Sequence, residues 1–574
     1  MAVDFDALSR GFRARYLSFV ELSEQLAAWA QAMPEVVRLE SLAKSEGGRD
    51  VWLLTIGRDP DRIRPAAWLD GNIHASELCG SSVCLGVIED LLRAHAGAAL
   101  VDLPDHVRAL LLADVLVYVM PRMCPDGAER VLERHHFVRS NHRNHRLGDH
   151  GPYWRHEDID GDGLSLLMRV EDPTGDFVES TDVTGLMLPR RIEDEGPFYR
   201  VYPEGLVERW DGFTIPTPSF MSDTETDMNR NFPSDWRSEP DQKGAGAFAS
   251  SEPESRAVTE FAVRHPNIFV WLCMHTFGGV YIRPLNGGPD SKMDSFDAAV
   301  FRQIDEWGQA IAGYPTVSGF QEFTYEPDKP LYGDLANFAY QERGAIGFVC
   351  ELWDFWKQVG FEVKRPFMKN YEDHNTREAI LKIAAWDRAH NDSRIVGAWR
   401  PVSHPQLGAV EVGGYDPLIG IWNPPYDRLA EVCQSQSRFF LRLAALAPRL
   451  TIASVTIEKL EEGLCRISAT VENRGFLPSY FLGSAKNRPY SDPVRVKLTL
   501  GSSLSLVSGE SDSPIGHLMG WGGNDRSTAP ALARTTTESA RRRVTWVVRG
   551  NGEIAVSASS TRLGAVQTCA RIGD

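Results

Sequence analysis

The chain has 574 residues and a mass of 64.0 kDa, with 43% hydrophobic and 24% charged residues and a mean hydropathy of −0.28, the balance of a water-soluble globular protein. Its 61 Lys and Arg against 78 Asp and Glu leave a formal charge of −17 and a pI near 5.4, a field that repels phosphate backbones and anionic lipid. Disorder, collagen and coiled coil are excluded, and neither nucleic acid nor a membrane is an expected partner. The opening MAVDFDALSRGFRARYLSFV lacks the apolar core of a secretory signal, and no later run approaches the roughly 18 apolar residues of a membrane span. The expected location is therefore cytoplasmic, or extracellular if a signal was trimmed ahead of residue 1. Eight scattered cysteines form no C-x-x-C pair and sit mostly in apolar stretches, as buried free thiols do.

In chain order, Ser18 with Glu21 three residues on opens a helix predicted over 18–33. Short apolar, β-branched runs at 51–57, 66–70, 114–120, 268–274 and 345–351 read as strands buried on both faces. Helical patterns fall at 77–95, 105–112, 253–264 and 297–312, with a long amphipathic stretch over 366–391. The alternation predicts an α/β fold, a mixed central sheet with helices on both faces. Residues 140–225 break the rhythm and read as an insertion rich in His, Arg, Asp, Gly and Pro. A last helix over about 425–446 ends at Ala447-Pro448, and the alternating segments after it predict a C-terminal all-β sandwich. The expected division is a catalytic domain over 1–448 and a sandwich over 449–574.

Three strand ends carry the chemistry. Asp70-Gly71-Asn72-Ile73-His74-Ala75-Ser76-Glu77 lies where a strand passes into a helix, and an H-x-x-E pair can bring an imidazole and a carboxylate onto one ion. Alone the pair is weak evidence, since about one such pair arises by chance among fifteen histidines. Placement strengthens it, because ligands bind beyond the carboxyl ends of strands in open α/β sheets. A second apolar run ends on His275 and a third on Glu351, a carboxylate whose flanks partly desolvate it and raise its proton affinity toward that of a general base. Taken singly, each also reads as a capping histidine or a salt-bridged glutamate.

In combination these motifs resemble the M14 zinc carboxypeptidases, over roughly residues 14–390, from the Y-x-S-x-x-E-L-x-x-x-L stretch at Tyr16 to the helix after Glu351. The resemblance implies one catalytic zinc held by His74, Glu77 and His275, with Glu351 as general base on the activated water. Cys124-Pro125-Asp126-Gly127 is similar to the family's N-P-D-G turn with Cys for Asn, and thirteen residues beyond Asp126 lies Arg139, which the resemblance makes the stabiliser of the oxyanion. Asp227-Met228-Asn229-Arg230-Asn231-Phe232 resembles D-x-N-R-N-[WF]. By that likeness Asn229 and Arg230 grip a terminal carboxylate, and Asp227 orients the His74 ring. Counting back from Glu351 sets Tyr340 at the family's last tyrosine and Asn337-Phe338 where Asp-Trp is usual. Tyr325 is then the candidate to cap the substrate, with Tyr332 the alternative, and the specificity position falls near Ala336, small or apolar unless Asp334 makes it basic.

The resemblance thus implies a zinc metallopeptidase that releases the C-terminal residue from peptides bearing a free carboxylate. Two rivals are a zinc amidohydrolase or deacylase of small carboxylated amides on the same fold, and a binding module whose catalytic domain is vestigial. Within the insertion, Asp158, Asp160 and Asp162 have the oxygen spacing of a calcium loop, but position 12 is Arg169 where a bidentate Glu is wanted. An acidic turn is the first reading and a Ca2+-stabilised lid the second. His135, His136, His142, His145, His150 and His156 crowd the same region among arginines and read as a polar pocket wall, with the insertion expected to fold over the cleft.

Overall fold

A computed structural model describes residues 3–100, 102–141, 151–218, 226–326, 329–522 and 540–573. The central sheet contains β1 (Val37–Lys44), β2 (Asp50–Ile56), β3 (Ala66–Gly71), β4 (Leu116–Met120), β5 (Ile268–Thr276), β6 (Val280–Arg283), β7 (Thr316–Ser318) and β8 (Ile346–Leu352), in spatial order β1-β2-β4-β3-β5-β8-β6-β7. Strands β4, β3, β5 and β8 run parallel to one another, while β1, β2 and β6 lie antiparallel to inner neighbours. The fold is therefore mixed α/β. Every residue of β3, β4 and β5 is buried, so both faces of the sheet centre are covered. Trp68 of β3 stacks on Trp271 of β5 at 4.6 Å, and Trp68 meets Phe261 of the helix Pro253–Arg264.

The first long helix, Phe19–Ala32, begins where its capping box places it, with the Ser18 hydroxyl accepting from Glu21 N and Glu21 reaching back to Ser18 N. Helices Cys79–His95, Asp105–Asp114, Pro253–Arg264, Ser295–Ala312 and Tyr426–Ala444 occupy the other predicted positions. The stretch 366–391 is not one helix. It divides into a turn of helix at Lys369–Glu372 and the helix Arg377–His390, which starts anew because Thr376 Oγ1 accepts from Ala379 N.

Within 151–218 the chain is more regular than its composition suggested. Leu167–Glu171, Phe177–Glu179, Met187–Pro189 and Phe198–Pro203 form a six-stranded antiparallel sheet with the hairpin Val396–His404 and Gly408–Tyr415. The hairpin is about 200 residues away in sequence, so its role as partner is invisible to local periodicity. The remainder of the insertion, 142–150 and 219–225, with His142, His145 and His150, lies outside the described residues.

The C-terminal part builds two four-stranded antiparallel sheets, with Leu450–Glu461, Leu464–Asn473, Arg541–Arg549 and Ser505–Ser508 in one and Val494–Leu500, Asp512–Gly516, Gly552–Ser560 and Gly564–Ile572 in the other. Its apolar core is continuous with that of the α/β part. Arg562 joins the two. Buried to 1% exposure, its guanidinium donates to Pro266 O, Arg343 O, Tyr480 O and Ser491 Oγ at 2.6–3.2 Å and lies over the Phe481 ring. Burial, with Arg343 adding, lowers its pKa to about 9. All eight cysteines are free thiols, seven of them buried and Cys569 exposed. No helix among the described residues is long and apolar enough to cross a membrane. Removing the buried fork leaves those carbonyl oxygens without donors, so Arg562→Ala is expected to destabilise the protein by about 3 kcal/mol or more. Calorimetry checks this: a thermal midpoint within about 1 °C of wild type would show that the contact holds nothing together.

Candidate metal and catalytic site

The topology brings three separate pieces of sequence to one edge. Strands β3, β5 and β8 are adjacent and parallel, with Met274 opposite Gly71 and His275 opposite Glu351. Their carboxyl ends therefore meet, and His275 and Glu351 share a rung. Beyond β3 the chain turns off the strand at Asn72, whose φ of 60° is left-handed and whose amide donates to His74 O and Ala75 O. A Cβ on Gly71 would fall 2.5 Å from the Gly80 backbone, so only glycine allows the helix Cys79–His95 to approach this strand end.

His74 Nδ1 lies 2.8 Å from Glu77 Oε1 and 3.0 Å from His275 Nδ1, and His275 Nδ1 lies 3.2 Å from Glu77 Oε2. These donors close a triangle small enough for one ion with bonds of about 2.0–2.2 Å to reach all three. Two imidazole nitrogens and a carboxylate oxygen are the donor set of a catalytic zinc. Burial opposes ionisation of Glu77, and the two imidazoles outweigh it, holding its carboxyl below the usual range. Burial, aided by His74 and Arg139, lowers the pKa of His275, which favours the neutral ring that a metal requires.

Asp227 stands behind His74. Its Oδ1 accepts from His74 Nε2 at 3.1 Å and from Asn229 N at 2.8 Å, while Oδ2 accepts from Arg139 Nε at 3.0 Å and lies 3.9 Å from Arg230 Nε. Burial works against this carboxylate, but Arg139, Arg230 and His74 overcome it and hold its pKa well below the usual range. Arg139 is fixed from its backbone side: Arg139 O accepts from Ala75 N, Ser140 Oγ donates to Ile73 O, and Met228 N donates to Ser140 Oγ. Gly127, in the C-P-D-G turn, permits this packing, because a Cβ there would sit 2.0 Å from Ser140 O. Asp126 itself points away, accepting from Ser45, Gly47 and Arg49.

Glu351 lines a cavity of about 800 Å³ together with His74, Glu77, Arg139 and Tyr325. Burial, reinforced by Glu77, pushes its carboxyl well above the usual range, with Arg139 opposing. Tyr325 is 52% exposed at this cavity. Tyr332 is not among the residues that line it: its ring packs 4.3 Å from the Arg237 guanidinium and its backbone pairs with Gln242. Arg230 is buried, donating to Asn229 O at 2.7 Å, and Asn229 Oδ1 accepts from Leu335 N at 3.0 Å. Ala336 is buried, and the neighbouring Asp334 carboxylate is committed to Asn337 N and the Asn286 amide. Tyr371 carried no signal in the sequence, yet it lines the cavity and donates from its hydroxyl to Phe277 O.

In the insertion, Asp158, Asp160 and Asp162 converge, with Arg400 seated on Asp160 at 2.7 Å and on Asp162. His135 Nδ1 bonds Asp416 at 2.6 Å, and His136 stacks on His156 at 5.0 Å, both lining a separate, polar cavity.

The sequence profile of the zinc carboxypeptidase (peptidase M14) family matches residues 22–162 and 214–377, more than half of the chain, and the chain belongs to that family. A profile described as a domain of unknown function (DUF8731) matches 449–570. Human cytosolic carboxypeptidase 6 is 28% identical over 199 residues, covering 32% of this chain and 37% of that protein. A zinc carboxypeptidase of Saccharothrix mutabilis subsp. capreolus is 29% identical over 117 residues, 20% of this chain and 25% of its own. The chain thus spans well under half the length of these relatives. Among solved structures, carboxypeptidase A from Helicoverpa armigera has a TM-score of 0.39 at 17% identity, covering 67% of this chain and 78% of its own. The metallo-carboxypeptidase from Burkholderia cenocepacia has a TM-score of 0.34 at 13% identity, covering 73% and 68%.

If Asp227 sets the His74 ring for a metal, Asp227→Asn is expected to weaken zinc binding about 10- to 100-fold. Competition with a chromophoric chelator measures this, and an unchanged affinity would remove Asp227 from that role.

Proposed function

We propose that the chain is a zinc metallocarboxypeptidase that hydrolyses the C-terminal peptide bond of peptides with a free carboxylate. The observation that carries the reading is the His74–Glu77–His275 triangle, with Asp227 behind it and Glu351 on the same rung as His275. Zinc held by those three residues would lower the pKa of a water toward about 7 and polarise the scissile carbonyl. Glu351, whose raised proton affinity suits a general base, takes the proton of the attacking water and passes it to the leaving amine. Arg139 puts a fixed positive charge where the oxyanion grows, a contribution on the order of 3 kcal/mol in sites of this kind. Asp227 keeps that guanidinium and the His74 ring in place. Arg230 offers a planar fork to the substrate carboxylate, with Asn229 beside it, and Tyr325 stands at the exposed edge of the cavity. The α/β part, residues 1–448, carries this chemistry, and 449–574 forms the attached sandwich. The location that fits is cytoplasmic. Arg400 already supplies positive charge to the Asp158–Asp162 loop, so the proposal gives calcium no part.

A deacylase of small carboxylated amides would use the same groups. Faster turnover of an N-acyl amino acid than of a tripeptide ending in the same residue would favour it. Glu351→Gln is expected to bind zinc as wild type does and to lose at least about 100-fold in kcat. Retention of more than about a tenth of kcat would take Glu351 out of the base role. Arg230→Ala is expected to lower kcat/KM on free-carboxylate peptides on the order of 10- to 100-fold, while C-terminally amidated analogues change little. Equal losses on both would refute the carboxylate grip.

A further inference from the structure

The cavity at the catalytic cluster is much larger and less polar than the reaction requires. At about 800 Å³ it lies in the range that holds an entire drug-sized ligand. Its lining includes His74, Glu77, Arg139 and Glu351, with Glu77 2.8 Å from His74 and 3.6 Å from Arg139 and with Glu351 on the rung of His275. Elsewhere the lining is mostly apolar or aromatic; Glu372 and Asn375 are solvent-exposed, and Ser76 and Thr276 adjoin the metal-site residues in sequence. His374 does not alter this: it stacks 3.6 Å from Trp356, and burial lowers its pKa to about 4, leaving it neutral at pH 7.

The roof comes from the six-stranded sheet. Phe177, Met187 and Val201 project from three of its strands, Trp399 from the hairpin in the same sheet, and Ile383 from the helix Arg377–His390. Four of the six roof strands fall within 163–213, which the zinc carboxypeptidase profile leaves unmatched, and the hairpin lies beyond residue 377, where the match ends. Asn229 and Arg230 are not part of this lining; they stand beside Asp227. A substrate held at Arg230 by its carboxylate, with its scissile carbonyl at the cluster, therefore sends its other end under the roof.

We infer that this chamber is a specificity subsite for the acyl side of the scissile bond and that it selects a bulky, uncharged apolar group there, an acyl chain or aromatic block in place of a polar peptide segment. The assignment deepens the carboxypeptidase reading and rests on it for direction. The physical argument is desolvation. An apolar chain entering the chamber loses only water contacts, whereas a charged or amide-rich segment gives up hydrogen bonds that this lining does not replace.

The test compares N-octanoyl-Gly-Phe with N-acetyl-Gly-Phe, which share the scissile bond and carboxylate and differ only in the acyl group. Calorimetric titration into the Glu351→Gln protein separates binding from turnover, and kcat/KM is measured on wild type. The octanoyl compound is expected to bind at least tenfold tighter and to shift the emission of the lining Trp356, Trp399 and Trp422, while the acetyl compound does not. Met187→Glu and Val201→Asp, on different roof strands, are each expected to bring the octanoyl-to-acetyl ratio below twofold, judged on whichever variant melts like wild type. A wild-type binding ratio below twofold, or a folded roof variant that keeps the full preference, overturns the subsite even if both peptides are cleaved. Preferential octanoyl binding with neither compound hydrolysed supports the subsite and instead removes the peptidase reading.

Discussion

The site depends on a charge that has no business being buried. Asp227 is a carboxylate at 1% exposure, and an isolated one there would be neutralised. It stays ionised because Arg139, Arg230 and His74 surround it and Asn229 N donates to it. These groups come from three separate pieces of chain, so the cost of burying the charge is offset only when the strand end at 72–77, the segment 138–140 and the turn 226–231 are all in place. The carboxylate is thus a geometric lock. It fixes the His74 ring and one guanidinium relative to each other, and a second guanidinium lies within 4 Å of the same oxygen. Such groups need little reorganisation during a reaction, which is where preorganised electrostatics have their advantage.

The sheet supplies the complementary constraint. Parallel strands β3, β5 and β8 place their carboxyl ends side by side, and the register that sets His275 against Glu351 also sets the spacing between the metal cluster and the candidate base. A shift of one residue in that pairing would turn either side chain to the other face. The two electrostatic environments then diverge within one cavity: Glu77, between two imidazoles, is driven toward ionisation, and Glu351, beside Glu77 with less compensation, toward protonation. Two carboxylates with opposed proton affinities are what a ligand and a base require.

Much of this was legible in the sequence because the signals are local. The Ser18 capping box, the apolar runs of β3, β4, β5 and β8, and the H-x-x-E spacing each declare themselves within a dozen residues. Features made by distant partners were not. Strand β1 is half-exposed along most of its length and lacks an apolar run, and β6 and β7 are too short to show a period. The roof sheet has strands of three to six residues on the insertion side, completed by a hairpin at 396–415 that sequence proximity cannot suggest. Spacing could not separate Tyr325 from Tyr332, since the contacts that differ, the cavity lining at Tyr325 and Arg237 and Gln242 at Tyr332, come from distant residues. Tyr371 belongs to no pattern, and its position follows from the break that Thr376 introduces into an otherwise helical stretch.

The proposed grip at Arg230 and the apolar chamber also differ in what they can discriminate. On the proposed reading, recognition at Arg230 is a charged, geometrically demanding interaction, strong only if the fork is held in advance, and it would read a feature common to every peptide terminus. An apolar chamber is tolerant of shape but strict about polarity, since each unpaired polar atom placed in it carries a desolvation cost. Were both to act on either side of one reacting carbonyl, the first would set where along a chain the bond is cut and the second which chains enter. The proposed division corresponds to the architecture: Arg230 lies in the part of the chain that the family profile matches, and the roof strands lie in stretches it leaves unmatched, 163–213 and beyond 377. A change of substrate class can then arise in the roof sheet without touching Asp227 or anything it holds.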